Sequence, residues 1–407
     1  MNNTQKIFED SRISPLQIEI TKCGAEKKIC NLKKKQNSED KIVKFRCDFP
    51  STQVEVMLAR GWTQIVDPED TNWHLWWCDT GDVLRQVLDG DRKKLRPYQR
   101  VPHFRNHYEL TRKNYLYRNL KRYRKALIRA GKIAEARISD VMPVTFELPR
   151  RKFDLRIYVL VTSFHPLKVW LAREGFARLC GQLFDLENID DNRVHLTNTA
   201  IQLKASQNTE GISSINGENG EWSCKWALNK LRDYLIAYYE TEVVENLMQR
   251  IAGVIMASLL AVQPSMMQDR NCFELYGYDI LLSDDLRPWL LEINASPALT
   301  GTDNEDQRLK SDLVDDVLNV LDFEGCFSGH ETRIGGLDLL WDDGPVWTSC
   351  PYPGIHTDVI SNDLRRLNIF LGAINDRQKQ LSLLKSQLIE KRKAGQNYSP
   401  MLQYYLK

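Results

Sequence analysis

One stretch limits what this chain can fold into more than any other: residues 272–297, CFELYGYDILLSDDLRPWLLEINASP. Residues 273–282 are rich in β-formers, and 288–294 form a second apolar run. Ser283, Asp284 and Asp285 separate them, which is the pattern of a β-hairpin. Alternate strand residues point to opposite faces, so Glu292 and Asn294 share one face. A loop centred on Asp285 and Leu286 sets Asp279 opposite Glu292, and opposed residues also share a face. Two carboxylates and an amide oxygen then meet at one end of a short sheet. Hard oxygen donors of this kind suit Mg2+, which keeps several waters and takes other ligands from phosphates. The same spacing also fits an ordinary hairpin with solvated acids.

The 407 residues are enough for two or three domains, and an apolar content of 42% allows a substantial core. A net charge of +2 excludes nothing by itself. Nine cysteines, an odd number with no CxxC pair, read as reduced thiols of a cytosolic protein and not as a disulfide or zinc framework. The N-terminus MNNTQKIFEDS has no apolar h-region, and no apolar run is expected to span a membrane.

Residues 1–40 are polar and lysine-dotted and read as a loose lead-in. A strand at 41–47, a helix at 52–59 closing at Gly61 and a strand at 73–78 make a βαβ opening. A helix capped by Thr111 follows, with Leu116, Leu120, Tyr123 and Leu127 at helical spacing. Ten basic residues lie between Arg112 and Arg137 against one acid, Glu135. That imbalance exceeds what pairing along a helix uses, so it points to an anionic partner, either nucleic acid or an acidic protein surface. No zinc-finger, RRM or KH signature supports nucleic acid.

After the break at PVTFELP, residues 152–160 alternate Lys152, Asp154 and Arg156 with Phe153, Leu155 and Ile157. A strand with one charged face suits an anionic ligand such as triphosphate, and an exposed edge strand has the same pattern. A further hairpin is expected over 169–179, with Arg178 near its end. His195 in HLTN has no second ligand at metal spacing and reads as structural. Residues 202–221 are Gly-, Asn- and Ser-rich and read as a mobile loop. Helices are expected at 225–238, 241–262 and 309–321, and a long one from a cap at Asn362 to Lys393. GGLDLLWDDGP is expected to pack on the sheet, and the tail from Gly395 to be disordered.

Several of these stretches are similar to the tubulin–tyrosine ligase-like family. They are HFRNHYELTRKNYLYRNLKR, KFDLRIYVLV, WLAREGFAR, VHLTN, CFELYGYDILL, PWLLEINASP, GGLDLLWDDGP and INDRQKQL, which together cover most of residues 40–390. The resemblance implies an α+β fold with an ATP-grasp ligase core at 150–325. A small α/β domain at 41–149 would precede it, and a helical extension and tail at 326–407 would follow. It implies ATP and Mg2+ as cofactors, tubulin C-terminal tails and free L-glutamate as partners, and neither nucleic acid nor a membrane. The location implied is cytoplasmic and cytoskeletal, at the axoneme or basal body of a cilium. Asp279, Glu292 and Asn294 become the Mg2+ ligands. Lys152, Asp154, Thr197 and Asn198 contact ATP. Arg156 neutralises charge at the transferred phosphate, Arg178 holds the incoming amino acid, and Lys225 assists it. The family carries a glycine-rich phosphate loop between its TFELP-like and KFDLR-like motifs. Here Pro149 and Arg150 lead straight into Arg151 and Lys152, so this reading has half of the nucleotide clamp missing.

Overall fold

The computed structural model describes residues 42–82, 95–142, 153–179, 225–348 and 366–393. The expected lead-in, the loop at 202–221, the tail from Gly395 and the positions of Lys152, His195, Thr197 and Asn198 lie outside them.

The strands β1 (Lys44–Cys47), β2 (Thr63–Gln64) and β3 (Leu75–Trp77) form a parallel sheet in the order β2-β1-β3. Helix α1 (Thr52–Ala59) joins β1 to β2, a short strand outside the βαβ reading, whose second strand at 73–78 is β3. The basic segment differs from the expectation at its start. Tyr108–Thr111 is a separate turn of helix, α2, and α3 (Lys113–Arg129) is capped by Arg112 instead of Thr111. The Thr111 hydroxyl donates back to His107 O at 3.2 Å, which takes it away from any role at the next helix.

The second sheet is antiparallel and holds seven strands among the described residues. They are β4 (Phe153–Phe164), β5 (Leu167–Leu179), β6 (Lys225–Ala227), β7 (Glu274–Leu282), β8 (Pro288–Asn294), β9 (Arg333–Ile334) and β10 (Leu337–Asp342). The order is β8-β7-β4-β5-β10-β9, with β6 also on β5. β4 is therefore central, which removes the edge-strand alternative for its Asp154 and Arg156. Residues 167–179 form one strand, not a hairpin of their own, and the hairpin is β4–β5. Within it a bulge shifts the register from Ile157↔Gly175 to Val159↔Leu171. The GGLDLLWDDGP segment enters this sheet as β10 beside β5 instead of lying on it.

Both faces of the sheet are covered. Leu155, Ile157, Val159 and Val161 of β4 share a core with α4 (Leu228–Tyr238), α5 (Thr241–Val262) and Leu116 and Leu120 of α3. Tyr158 and Leu160 share the other core with β1, β3 and α6 (Asn304–Leu321). Each such side chain contributes about 1.5–3 kcal/mol on full burial. α6 begins five residues before the expected 309, because the Asp303 carboxylate accepts from Asp306 N–H and caps it. Against the expectation of no membrane-length run, Thr241–Ser265 is long and apolar enough to cross a membrane, and 61% of its apolar window is buried within the fold. It is the helix that fills the core on one face of the sheet.

The C-terminal helix α7 runs Arg377–Lys393 and not from Asn362. Leu367 lies in a short strand paired with Trp347–Thr348, Leu371 is buried, and Gly372 takes a φ of +68° that no helix can continue. The leucines 367 and 371 thus match a helical stripe by spacing alone. Asp376 and Arg377 lock this end of the chain in place. Arg377 Nε donates to both Asp316 oxygens at 3.0 Å, and its Nη1 lies 3.2 Å from Asp312. Arg60, just beyond α1, reaches Asp315 at 2.5 Å and Glu324 at 2.8 Å from the other side. Asp316 is 2% exposed and burial pushes its carboxyl up to about 7 even beside Arg377, so losing the cation removes its ion pair and hydrogen bonds and drives the buried acid to take up a proton. Arg377→Ala is expected to destabilise the chain by about 3–5 kcal/mol in urea unfolding. Asp316→Asn in the same background should restore part of that loss; no recovery would show that the cost is packing instead of charge.

Candidate active site

The hairpin β7–β8 reaches its register by a device the sequence hides. Ser283 N–H donates to Arg287 O at 3.1 Å, which closes a loop centred on Asp285 alone. That centre pairs Leu282 with Pro288 and Ile280 with Leu290, and left uncorrected it would set Asp279 against Leu291. A bulge between Asp279 and Ile280 absorbs one residue, and the pairs become Asp279↔Glu292 and Gly277↔Asn294. Leu286 takes the left-handed backbone that the tight loop needs, with φ +56°.

The row continues across the sheet. Arg156 on β4 pairs with Asp279, and Asp154, two residues back on the same face, pairs with Arg178 on β5. Arg178 in turn pairs with Lys225 on β6. Arg156 Nε and Nη2 donate to the two Asp279 oxygens at 2.5 and 3.0 Å. Arg178 Nη2 sits 2.8 Å from Asp279 and also grips Asp154, to which its Nε donates at 3.1 Å. Charges therefore alternate along three neighbouring strands, with Asp154 1% and Asp279 2% exposed. Gly277 makes room for this: a Cβ there would lie 3.3 Å from Arg156 Cδ and 3.0 Å from Pro297 Cβ. Burial works to raise the Asp279 carboxyl, but the hydrogen bond and charge of Arg156, then those of Arg178, outweigh it and hold the group below its ordinary value. Burial likewise disfavours the Arg178 cation, and the two carboxylates overcome it and raise its pKa.

Glu292 and Asn294 stand at the outer end of the row. Asn294 Nδ2 lies 3.4 Å from Glu292 Oε1 and 3.5 Å from Gly277 O, and Lys113 Nζ lies 3.5 Å from Glu292 Oε2. The Glu292 side chain is 42% exposed, so one carboxylate of the set faces solvent while the other is buried. Among the described residues no group of three His, Cys, Asp or Glu could hold a metal. The set here is two carboxylates and an amide, and its donor chemistry fits Mg2+ with waters and phosphate completing the shell. Asp279 fits only with its two arginines shared between it and an anionic ligand.

A second cluster adjoins the row. Lys225 pairs with Asp306, and Lys310 Nζ donates to Asp306 at 2.9 Å and to Thr300 O at 2.5 Å. Burial lowers the Lys225 pKa, only partly offset by Asp306. For Asp306, burial raises the carboxyl, and the hydrogen bonds of Lys225 and Lys310 bring it below its ordinary value. A cavity of about 130 Å3 opens here between Lys225, Asp306, Phe176 and Arg308. Sequence reasoning missed Asp306, Lys310 and Lys113. The i,i+4 pair in DNEDQRLK is the one signal that marks the first two. Nothing in the sequence marks Lys113 as the neighbour of Glu292, because that contact joins residues 179 positions apart. The structure thus brings Asp154, Arg156, Arg178, Lys225, Asp279, Glu292 and Asn294 to one face, while Lys152, Thr197 and Asn198 are outside the described residues.

Residues 143–326, which contain this face, match the model of the tubulin-tyrosine ligase family. The probable tubulin polyglutamylase TTLL9 of Rattus norvegicus is 34% identical over 467 aligned positions, covering 89% of this chain and 96% of that protein. The probable alpha-tubulin polyglutamylase Ttll1 of Tetrahymena thermophila is 30% identical, covering 74% and 94%. The tubulin polyglutamylase TTLL5 of Homo sapiens is 27% identical over 66% of this chain but 25% of its own length. Similarity of that extent, over nearly the full length of the rat protein, makes this chain a member of the tubulin-tyrosine ligase family, a family of enzymes.

Proposed function

We propose that the chain is an ATP- and Mg2+-dependent tubulin ligase of the polyglutamylase type. The carboxylate of a tubulin-tail glutamate takes the terminal phosphoryl group of the co-substrate ATP, and the amine of free L-glutamate then displaces phosphate to form an amide. The observation that carries the reading is the row Glu292–Asp279–Arg156–Arg178 on one sheet face, in a chain whose relatives are named tubulin polyglutamylases.

Each residue type suits such a reaction. Asp279, Glu292 and Asn294 would hold Mg2+, which when bound neutralises phosphate charge. Arg156, already oriented by Asp279, presents a fixed fork of donors to an equatorial phosphate oxygen. Arg178 is placed beyond it, where a substrate carboxylate can take the place of Asp154 or Asp279. Lys225 and Lys310 add positive charge near the small cavity that could seat an amino acid. Phosphoryl transfer depends on positioning and charge stabilisation more than on covalent help, and preorganised ion pairs supply both without reorganisation. Action on tubulin gives the protein a cytoplasmic, cytoskeletal place, with the cilium as the specific site.

Competence is the point on which this chain differs. The alignment with the rat relative runs over 467 positions, more than the 407 residues here, so that protein carries residues with no counterpart in this chain. We place the gap between Pro149 and Lys152, where the phosphate-covering loop would stand. A nucleotide clamped from one side loses charge-assisted hydrogen bonds worth about 1.5–3 kcal/mol each. Two lost bonds amount to about two to four orders of magnitude in rate or affinity. This favours a second reading, an inert microtubule-associated form.

Purified chain given ATP, Mg2+, labelled glutamate and microtubules is expected to incorporate about 100-fold less label, or weaker still, than a version with the relative's segment inserted after Pro149. Equal incorporation by the two would refute the one-sided clamp. In the version with the insert, Glu292→Gln should lower incorporation by at least about 100-fold with an unchanged urea midpoint, because the carboxylate is half-exposed and supports the reaction more than the fold. Retained activity in that variant would remove Glu292 from the site.

A further inference from the structure

The proposed chemistry leaves the basic helix unexplained. Every one of its flagged cations from Arg112 to Arg137 is exposed. Its far half does not stand alone in solvent: Arg124 of α3 and Arg137 of the segment after it line a groove of about 780 Å3 together with Arg250 of α5 and Arg287 of the hairpin loop. Among the described lining residues the acids are Asp140 and Asp285. Asp140 accepts from Arg124 at 3.4 Å through its side chain, while its backbone carbonyl accepts from Arg287 at 3.1 Å. Four guanidinium groups against two carboxylates leave the groove electropositive. Its floor is aliphatic, from Ile138, Val141, Val254 and Pro288.

We propose that this groove docks an acidic, extended peptide that carries one or two aliphatic side chains. The arginine forks match carboxylates in bidentate fashion, and the floor takes the apolar residues. Among its described lining residues there is no aromatic ring on which a base could stack, which favours peptide over single-stranded nucleic acid. The groove also leads to the proposed site. From Arg124 to Lys113, along α3, is about 16 Å at 1.5 Å per residue. From Arg287 to Glu292, along β8, is about 16 Å at 3.3 Å per residue. Lys113 and Glu292 meet at 3.5 Å, so the two paths end together. A peptide held in the groove needs about five extended residues to reach Glu292. That last placement rests on the ligase reading, whereas binding in the groove does not.

The test uses the full chain and a fluorescein-labelled octapeptide of six glutamates and two valines, read by anisotropy at low salt. Arg250→Gln with Arg287→Gln should weaken binding at least about tenfold, the loss expected for two charge-assisted contacts. Asp140→Asn should tighten it about two- to threefold, since it frees Arg124 and removes a competing charge. The opposite signs separate docking from loss of fold, and the urea midpoint of each variant checks the latter. Unchanged affinity in both, or an oligouridylate octamer bound as tightly as the peptide, would overturn the proposal. Peptide binding that survives while the version with the inserted segment also incorporates no glutamate refutes the ligase reading and leaves the groove in place.

Discussion

Four charged side chains on three adjacent strands hold this site together: Asp154, Arg178, Asp279 and Arg156. None could be buried alone, because an unpaired ion in a protein interior costs several kcal/mol. Interleaved, each carboxylate meets a guanidinium, and Asp154 and Asp279 stay buried. On the proposed ligase reading, the same arrangement would preorganise a place for phosphate. An anion arriving at the row meets arginines already desolvated and oriented, so their reorganisation is not part of the cost of binding.

The packing around the row follows the same logic on a larger scale. Arg173, fully buried on β5, donates to both oxygens of Asp338 on β10 at 2.7 Å and lies 4.4 Å above the Phe370 ring. Glu274, fully buried on β7, is met by His103 at 3.1 Å and by the Tyr276 hydroxyl at 2.9 Å. Arg377 and Arg60 approach α6 from opposite ends of the sequence. Buried ion pairs are weak sources of net stability, yet they are strict about geometry: breaking one partner is far costlier than never having the pair. Here they fix how the N-terminal sheet, α6 and the C-terminal segment dock around the strands that carry the site.

Two features bear on how such a chain meets an acidic partner. The site face is nearly neutral by internal pairing, whereas α3 and the groove beyond it are not. Long-range attraction therefore comes from the helix and the groove, and its reach is limited to about 8 Å by salt at physiological strength. On the proposed reading, specific chemistry would come from the row, whose buried charge pairs act at short range.

Much of the local structure was legible in the sequence because it follows from nearest-neighbour pattern. The helix at 241–262, most of the one expected at 225–238 and the alternation of Asp154 and Arg156 on β4 come from periodicity, whereas residues 225–227 became strand β6 and the facing of Asp279 and Glu292 needed the bulge that no turn residue announces. Where spacing misled, a longer-range contact had overridden it. The leucines before Arg377 were drawn from a helix into the core, and the expected hairpin at 169–179 was straightened because β4 and β10 pair with it on both sides. What the sequence by itself determined is which residue types could bind metal and phosphate, and on which face of which strand each would stand, since strand alternation is a property of the backbone. Only the tertiary structure decided that these charges neutralise one another, that Lys113 meets Glu292 and that four arginines from α3, the segment after it, α5 and the hairpin loop share one groove. Several of those contacts join segments more than a hundred residues apart, and Coulomb energy depends on distance in space, about which sequence separation is silent.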